Sequence, residues 1–424
     1  MIHIQELDKC CGCHACASRC PKHCISMQRD DKGFFYPKVD EISCIDCRLC
    51  EKVCPMLNMP EADQPIHAYA AQNINPKVRA TSSSGGVFSV LAEQTIAEGG
   101  VVFGAAFDNE WMVHHLAVRT CEDLRSLMGS KYVQSTIGST YIEAEKELKA
   151  GRKVLFSGTP CQIAGLRSFL RKSYENLTTV DVVCHGVPSP AVWAAYINSL
   201  TRSKSVPSKN TVLLSLNDSR QISGVSFRDK RTGWQKYGFA VYSSDQRKDE
   251  NSVLPSNGKL IHYSTVLSNI FMRGFLQNVY LRPSCYHCRF RCFRSGSDLT
   301  LADLWGVRRV TPQFDDDKGT SLVLDKSGKF ADTASLSCIK LTSEQVQLAY
   351  KGNPSLFNDE PESKYSKAFW QEFFAHPEKV QDAIRHHTVV SRKAEMKNLI
   401  DNILLKFNLY TPVQQLVRKI KYGK

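Results

Sequence analysis

A chain of 424 residues, 42% hydrophobic and 23% charged, is long enough for two or three domains and a sizeable buried core. Its formal charge of +13 raises the question of nucleic acid, but ten Lys or Arg stand against four Asp or Glu in residues 376–424, so the excess is local and no nucleic-acid partner is expected. Apolar runs such as VVFGAAF fall far short of a membrane span, the opening MIHIQELDKC lacks the apolar stretch of a secretory signal, and 17 cysteines, an odd number, suit a reducing cytoplasm.

Ten of those cysteines lie between Cys10 and Cys54. They read Cys-x2-Cys-x2-Cys-x3-Cys-Pro twice: Cys10, Cys13, Cys16, Cys20 with Pro21, then Cys44, Cys47, Cys50, Cys54 with Pro55. That spacing suits two cubane iron–sulfur clusters, in which three thiolates on a tight turn cap one cube and the fourth reaches the other. Cluster I is accordingly assigned to Cys10, Cys13, Cys16 and Cys54, and cluster II to Cys44, Cys47, Cys50 and Cys20. The proline after each fourth cysteine redirects the chain. Zinc does not require that proline, and disulfides would require export. Cys11 and Cys24 fall outside the pattern and are expected to pack nearby as bystanders.

Residues 1–58 thus form a two-cluster unit of short strands and two small helices, and 59–66 (MPEADQPI) read as a linker. An α/β rhythm follows. Ile66 to Ala71 is a strand, Ser84 to Glu98 a helix with Val87, Val90, Leu91 and Ile96 at near-helical spacing, and Val101 to Phe107 a buried strand. The serines at 82–84 suit a helix cap, and Gly85–Gly86 allow close backbone approach. Ordinary capping is the plain reading; an anion such as a dinucleotide pyrophosphate is the functional one. A helix over Thr140 to Ala150, a strand over Lys153 to Phe156 and a helix over Pro160 to Lys172 repeat the rhythm, the last two joined by SGTPCQ. Pro160 suits a first helical turn, which puts Cys161 where amide dipoles stabilise a thiolate. An inert packed cysteine is the alternative. Thr178 to Val183 is a strand ending in CHGVPSP, before a helix over Pro190 to Leu200. Cys184 and His185 therefore also sit at the carboxyl end of a strand, the edge at which open α/β sheets gather ligands.

Residues 201–262 are polar, with strands expected at 212–216, 222–228 and 237–242. Arg228, Lys230 and Trp234 between them suit a phosphate or a ring, or plain loop surface. An apolar helix over 264–280 leads into RPSCYHCRFRC. Cys285, Cys288 and Cys292 read there as part of a third cubane completed by Cys184 or Cys161, with zinc as the rival. A cubane on four thiolates carries about −2, so three would bring the charge to roughly +7. Leu299 to Leu304 is a strand, and Asp303 and Trp305 set an acid and an indole near its end. Beyond residue 310 a loop and strand-turn are expected, then helix from Ser343 onward. Met396, Leu399, Ile400, Ile403, Phe407, Val413, Leu416, Val417 and Ile420 keep helical spacing among Lys and Arg. Packing on the parent domain is the default for such a stripe; contact with a partner or an anionic membrane surface is the alternative.

As a set, SSSGGVF, VLFSGTPCQIAGL, DVVCHGVPSP, SFRDKRTGW and RPSCYHC…SDLTLADLWG resemble the coenzyme F-420 hydrogenase/dehydrogenase beta-subunit family over roughly residues 1–310, in the members that carry a fused N-terminal two-cluster ferredoxin. Ala302–Asp303 stands where the family commonly has Gly-Asp. The resemblance implies FAD on the α/β domain, a further 4Fe–4S cluster beside it, and electron flow between flavin and ferredoxin clusters. It sets Ser84, Gly85 and Gly86, and the loop of Gly158, Thr159, Pro160, Cys161 and Gln162, against the flavin. The ligand set of the third cluster stays open among Cys161, Cys184, Cys285, Cys288 and Cys292. His185, Asp303 and Lys230 are the catalytic candidates.

The expected fold is an α+β ferredoxin-like two-cluster domain over 1–58, an α/β flavin-binding and iron–sulfur domain over 67–340, and a mostly helical basic tail over 341–424. The expected function is that of a cytoplasmic flavin-dependent iron–sulfur oxidoreductase. It would exchange electrons with a ferredoxin-type protein and act on a small-molecule substrate or a deazaflavin-type coenzyme. A non-catalytic electron-transfer subunit is the alternative, and a cluster-bearing structural or nucleic-acid protein ranks third.

Overall fold

The computed structural model describes residues 1–202, 212–213, 222–243, 258–330, 333–406, 409–410, 412–414 and 416–417. The chain divides into two compact units, residues 1–192 with 281–362 and residues 193–280 with 363–424. The stretch expected as one domain over 67–340 thus contributes to both units, and so does the tail.

The elements run in chain order. The two-cluster segment supplies α1 (Ala15–Arg19), β1 (Ile25–Arg29), β2 (Phe35–Val39) and α2 (Leu49–Lys52). Then come β3 (His67–Asn73), α3 (Pro76–Thr81), α4 (Val87–Ala97), β4 (Val101–Phe107), β5 (Val113–Val118), α5 (Thr140–Lys149), β6 (Val154–Gly158), α6 (Pro160–Leu170) and β7 (Leu177–Val182). The second unit receives α7 (Pro190–Arg202, from Trp193), β8 (Val212–Leu213), β9 (Ile222–Asp229), β10 (Gly238–Ser243), β11 (Lys259–Thr265) and α8 (Ile270–Leu276). The first unit resumes with β12 (Leu299–Asp303), α9 (Val307–Val310), β13 (Ser321–Asp325), β14 (Leu336–Lys340) and α10 (Ser343–Lys351). The second ends with α11 (Ser366–Ala375), α12 (Val380–His386) and α13 (Arg392–Lys406).

The first unit is built on an eight-stranded sheet in the order β14-β3-β13-β12-β7-β6-β4-β5. Its centre, β12-β7-β6-β4, is parallel, and both margins are antiparallel. The period of two in the apolar strands decides which face each side chain covers. Val101, Phe103, Val154 and Phe156 join Tyr141 of α5 and Ile163, Leu166 and Phe169 of α6 on one side. Val102, Leu155, Val180 and Leu299 join Val87 and Val90 of α4 on the other. Burial on both faces explains why the central strands read as nearly unbroken apolar runs. The marginal strands β5 and β14 mix polar and apolar residues, and the sequence pattern did not reveal them.

The two-cluster segment shares this core. Ile2, Ala15, Cys16, Val53 and Met56 pack in the same cluster as Tyr141, Ile163, Leu166 and Phe290. Gly165 of α6 makes the approach possible: a Cβ there would lie 2.7 Å from the Cβ of Cys13 and 2.8 Å from the Tyr141 hydroxyl. The stretch read as a linker is tied down at two points, where Asp63 N donates to Phe293 O (3.1 Å) and Ile66 N to Asp325 O (2.8 Å).

The second unit holds an antiparallel sheet in the order β8-β11-β10-β9. Trp193 packs against Phe227 (5.0 Å between ring centroids) and Phe271 (5.2 Å), with Tyr196 and Phe239 completing the aromatic group. The helix expected over 264–280 is present but shortened to α8, Ile270–Leu276. The alternating run KLIHYST continues as β11 to Thr265, and Asn269 then starts α8 by accepting from Met272 N (2.8 Å). Asn278, with φ 58°, lies just beyond its end. The strand expected at 212–216 is seen at Val212–Leu213, its remainder lying outside the described residues, as do Phe407 and Ile420 of the tail stripe. Met396, Leu399, Ile400, Ile403, Leu416 and Val417 are 42–61% exposed, so the expectation that this stripe packs on its parent domain is corrected. Among the described residues no helix is long and apolar enough to cross a membrane.

Candidate functional site

The two cysteine runs bend alike. Residues two and four places after each first cysteine take positive φ: Gly12 (69°) and His14 (64°) in one run, Asp46 (46°) and Arg48 (55°) in the other. Such left-handed steps turn the chain tightly enough to bring three thiols to one side. Cys44, Cys47 and Cys50 line one space together with Cys20 of the first run, and Cys24 stands beside them, 3.4 Å from Cys20 sulfur to sulfur. Cys10, Cys13, Cys16 and Cys54 form the reciprocal group. Burial pushes the Cys16 thiol up to about 12, and Cys10 and Cys54 add to it by charge repulsion. Cys54 is likewise raised, by burial first and then by Cys10 and Cys50. Crowded buried thiols that resist ionisation alone are what a multinuclear iron centre discharges, releasing their protons as it binds. Backbone amides assist, Gly12 N lying 3.4 Å from Cys10 Sγ and Ile2 N 3.3 Å from Cys50 Sγ.

A third group of thiols gathers from three loops. Cys161 opens α6 behind Thr159 and Pro160, where Thr159 and Gln162 form a reciprocal capping box. Cys184 follows β7, and Cys285 and Cys288 lie on the loop beyond Arg282. These four line one space, about 460 Å³ including its open mouth, with Cys11, Met56, His185, Arg282, Arg289 and Arg291 also in its wall. Burial first, and neighbouring thiols after it, push Cys285 up to about 12 and Cys288 to about 11. Cys184 is raised in the same way, by burial and then by Cys285, Cys161 and Cys288. Cys292 does not line this space, and its amide donates to Leu356 O (2.8 Å). Cys11, expected as a bystander, stands between two groups of thiols, its own thiol perturbed by those of both Cys13 and Cys161. Among the described residues no three His, Cys, Asp or Glu side chains close to the spacing of a single metal ion; the thiols instead ring open space.

Arginines fix the backbone around the third group. Arg291 donates to Cys184 O (3.4 Å) and His185 O (3.3 Å), and Arg289 donates to Met56 O (2.6 Å). His185 Nδ1 lies 3.2 Å from Glu360 Oε1. Asp303 ends β12, and its carbonyl accepts from Asn353. Lys230 belongs to the second unit, in the turn after β9, where its carbonyl accepts from Gly233 N. None of these arginines was singled out from the sequence, although Arg282 directly precedes the Pro-Ser-Cys run.

The loops at the carboxyl edge of β4 and β6 are linked by polar contacts. Ser83 Oγ accepts from Ser130 N (2.7 Å), Gln162 Nε2 donates to Ser135 O (3.1 Å), and His115 bridges Ser135 Oγ (2.6 Å) and Ser157 O (2.9 Å). The serines at 82–84 do not cap α4, as the plain reading expected. Ser82 closes α3 by donating to Val78 O, Ser84 donates to Thr320 O, and Gly86 (φ 84°) stands at the N-cap with no side-chain cap. Gly85 serves packing, since a Cβ there would lie 2.3 Å from Ala71 O. Two features fit a flavin dinucleotide. Lys131, next to Ser130 in the chain, donates to Met128 O (2.9 Å) and Gly129 O (3.2 Å), and burial draws its pKa down to about 7. Among the described residues, His114 Nδ1 on β5 is buried with no hydrogen-bond partner.

His115 is held neutral, its pKa lowered to about 4 chiefly by burial. With Ser157 O as acceptor, Nε2 carries the proton and Nδ1 accepts from Ser135. Between about pH 6.5 and pH 4 the unfolded chain binds the extra proton, so stability is complete above this window and falls as pH drops through it. The expected loss is about 3 kcal/mol. Urea unfolding of the wild type and His115→Gln across this range checks it: the variant should lose less on acidification, and equal losses would refute the assignment.

Residues 9–57 match the 4Fe-4S dicluster domain, and residues 151–337 match the C-terminal region of the coenzyme F-420 hydrogenase/dehydrogenase beta-subunit family. The class is therefore an iron–sulfur chain in which a dicluster domain is fused to a beta-subunit-type α/β domain. The chain thus carries the C-terminal region of that beta-subunit family together with an N-terminal dicluster domain. It is 27% identical over 196 residues to the coenzyme F-420-dependent sulfite reductase of Methanocaldococcus jannaschii, which is 44% of this chain and 29% of that protein. It is 34% identical over 59 residues to an uncharacterized protein from the rpl9-rpl11 intergenic region of Porphyra purpurea, 13% of this chain and 76% of that protein. The chain thus spans less than a third of the first relative's length. Among solved structures, a chain of the F-420-reducing nickel–iron hydrogenase complex from Methanosarcina barkeri aligns over 76% of this chain and 91% of that one, at 14% identity and a TM-score of 0.39.

Proposed function

We propose that the chain is a flavin-dependent iron–sulfur oxidoreductase. It would hold two ferredoxin-type clusters, a third 4Fe–4S cluster on Cys161, Cys184, Cys285 and Cys288, and FAD at the loops of Ser83–Gly86, Ser130–Ser135 and Gly158–Gln162. The observation that carries this reading is the convergence of four cysteines from three loops on one space whose wall includes Cys11 and Met56 of the two-cluster segment. An all-thiol donor set suits iron–sulfur ligation, and the crowding of those thiols suits a centre that takes up several negative charges. When bound, cubanes exchange single electrons and FAD links these to two-electron chemistry.

The contribution of the chain's own residues is placement. The capping box of α6 fixes Cys161, Arg291 fixes the Cys184–His185 carbonyls, and Arg289 ties the third loop to the exit of the second cysteine run. His185, beside Glu360, is the group placed to hold a proton at Nδ1 next to the third centre. Asp303 and Lys230 remain further candidates. A ferredoxin-type protein is the electron partner in this reading, and the substrate is a small molecule or a deazaflavin-type coenzyme, in line with the F-420-dependent sulfite reductase relative.

Anaerobic purification with analysis of iron, acid-labile sulfide and extracted flavin tests it. About twelve irons, about twelve sulfides and one FAD per chain are expected, followed by flavin bleaching when reduced coenzyme F-420 or reduced ferredoxin is added. About eight irons with zinc and no flavin would overturn it.

A further inference from the structure

We propose that Arg282 is a positioning residue that sets the reduction potentials of two of the three centres, cluster I and the Cys161/Cys184/Cys285/Cys288 centre. Its buried guanidinium stands between their ligand turns. The inference rests on the ligand assignments above.

Arg282 is 1% exposed. Nε donates to Cys10 O (2.9 Å), one terminal nitrogen to Gln134 Oε1 (2.9 Å) and the other to Phe35 O (2.9 Å). The guanidinium carbon lies 4.4 Å from the Tyr36 ring and 5.4 Å from the Phe34 ring. Gln134 Nε2 in turn donates to Cys11 O (3.1 Å), so the pair grips two successive carbonyls of the first ligand turn. The fit is tight: a Cβ on Gly12 would lie 2.7 Å from an Arg282 nitrogen, and Gly12 has φ 69°. The same side chain lines the space of the third thiol group, and it does not line that of cluster II.

All three hydrogen-bond acceptors are neutral, and among the described residues no carboxylate lies within ion-pair distance. A fully buried guanidinium without a counter-ion is strongly unfavourable. Burial opposes its charge, while Cys10 of cluster I, then Tyr36, Cys11 and Cys285 of the third group favour it; of the carboxylates, Asp30 feels the guanidinium at longer range. The bound centres therefore serve as its counter-charge. Reduction adds one electron to a cubane with no bond made or broken, taking its charge with four thiolates from about −2 to about −3. A fixed positive charge in a low-dielectric site stabilises the more negative state. It raises the potentials of the two centres it adjoins and leaves cluster II as an internal reference.

The test uses anaerobically prepared holoprotein, with iron and sulfide measured alongside a dithionite titration followed by electron paramagnetic resonance. In Arg282→Gln, two midpoints should fall and one stay fixed. The oxidised-to-reduced ratio of the affected clusters at constant poise should rise about tenfold, or about 59 mV for a one-electron couple. Arg282→Lys, which keeps the charge, should recover most of the shift. Gln134→Glu keeps the arginine and sets a carboxylate against it; the same two midpoints should fall there too, whether or not Arg282→Gln assembles. Unchanged midpoints in Gln134→Glu with full iron, or equal shifts of all three clusters, would overturn the proposal. If the wild type holds only about eight irons, the third-centre assignment fails, while the shift of cluster I against cluster II still decides the role of Arg282.

Discussion

Replacing Cys184 by alanine should remove about four of about twelve irons per chain and leave the two ferredoxin-type clusters in place. Cys184 follows β7 and lines the third space with Cys161, Cys285 and Cys288, and the N-terminal runs keep their own complete thiol sets. The loss should extend to the sulfide count and to one paramagnetic signal. Cys292→Ala is the matched control. Its thiol does not line that space, so its iron content should equal that of the wild type. Iron retained in Cys184→Ala but lost in Cys292→Ala would exchange the two cysteines in the ligand set and defeat the assignment.

The second large effect lies away from the thiols. Asp298 is 7% exposed, and its Oδ2 accepts from Arg167 (2.7 Å), from Thr179 N (2.7 Å) and from the Thr179 hydroxyl (2.7 Å), while Oδ1 lies 3.0 Å from Lys329 Nζ. Burial alone would raise its pKa, but Arg167, Thr179 and Lys329 outweigh it and hold the carboxyl below its usual value. This group joins β7, α6 and the segment leaving the third cysteine loop, since Arg167 also donates to Gly296 O (3.1 Å). Asp298→Ala takes the shared carboxylate from Arg167 and Lys329, which keep carbonyl acceptors, and leaves the Thr179 amide without its side-chain acceptor; it should cost about 1–3 kcal/mol. The contribution is present above the ordinary carboxylate pKa and is lost as pH falls through the lowered folded value. Urea unfolding at neutral pH measures it; a midpoint unchanged from the wild type would show that the network stabilises nothing.

Much of the site was legible because its signals are local. The alternative roles of Ser84, Gly85 and Gly86 were harder to separate, because a serine–glycine turn looks the same whether it caps a helix, meets an anion or packs on a sheet. Ala71 O and Ser321 crowd Gly85, and both come from strands that the sequence does not place beside it. The helix expected over 264–280 is shorter than its apolar run for a related reason: residues 264–265 pair with β10 as the end of β11, and the cap at Asn269 leaves Ile270–Leu276 helical.

The sequence by itself determined the eight-cysteine N-terminal pattern, the α/β rhythm from residue 66 to 183 and the capped turn that presents Cys161. Each of these depends on residues within one turn or one strand of each other, where spacing translates directly into geometry. Only the tertiary structure decided which cysteines share the third space, that Cys11 and Arg282 line it while touching the first cysteine run, and that α11–α13 join residues 193–280 in a second unit. Those facts arise from contacts between residues far apart along the chain. They are fixed by which buried faces and carbonyls find partners when the sheet closes, and no local spacing encodes that.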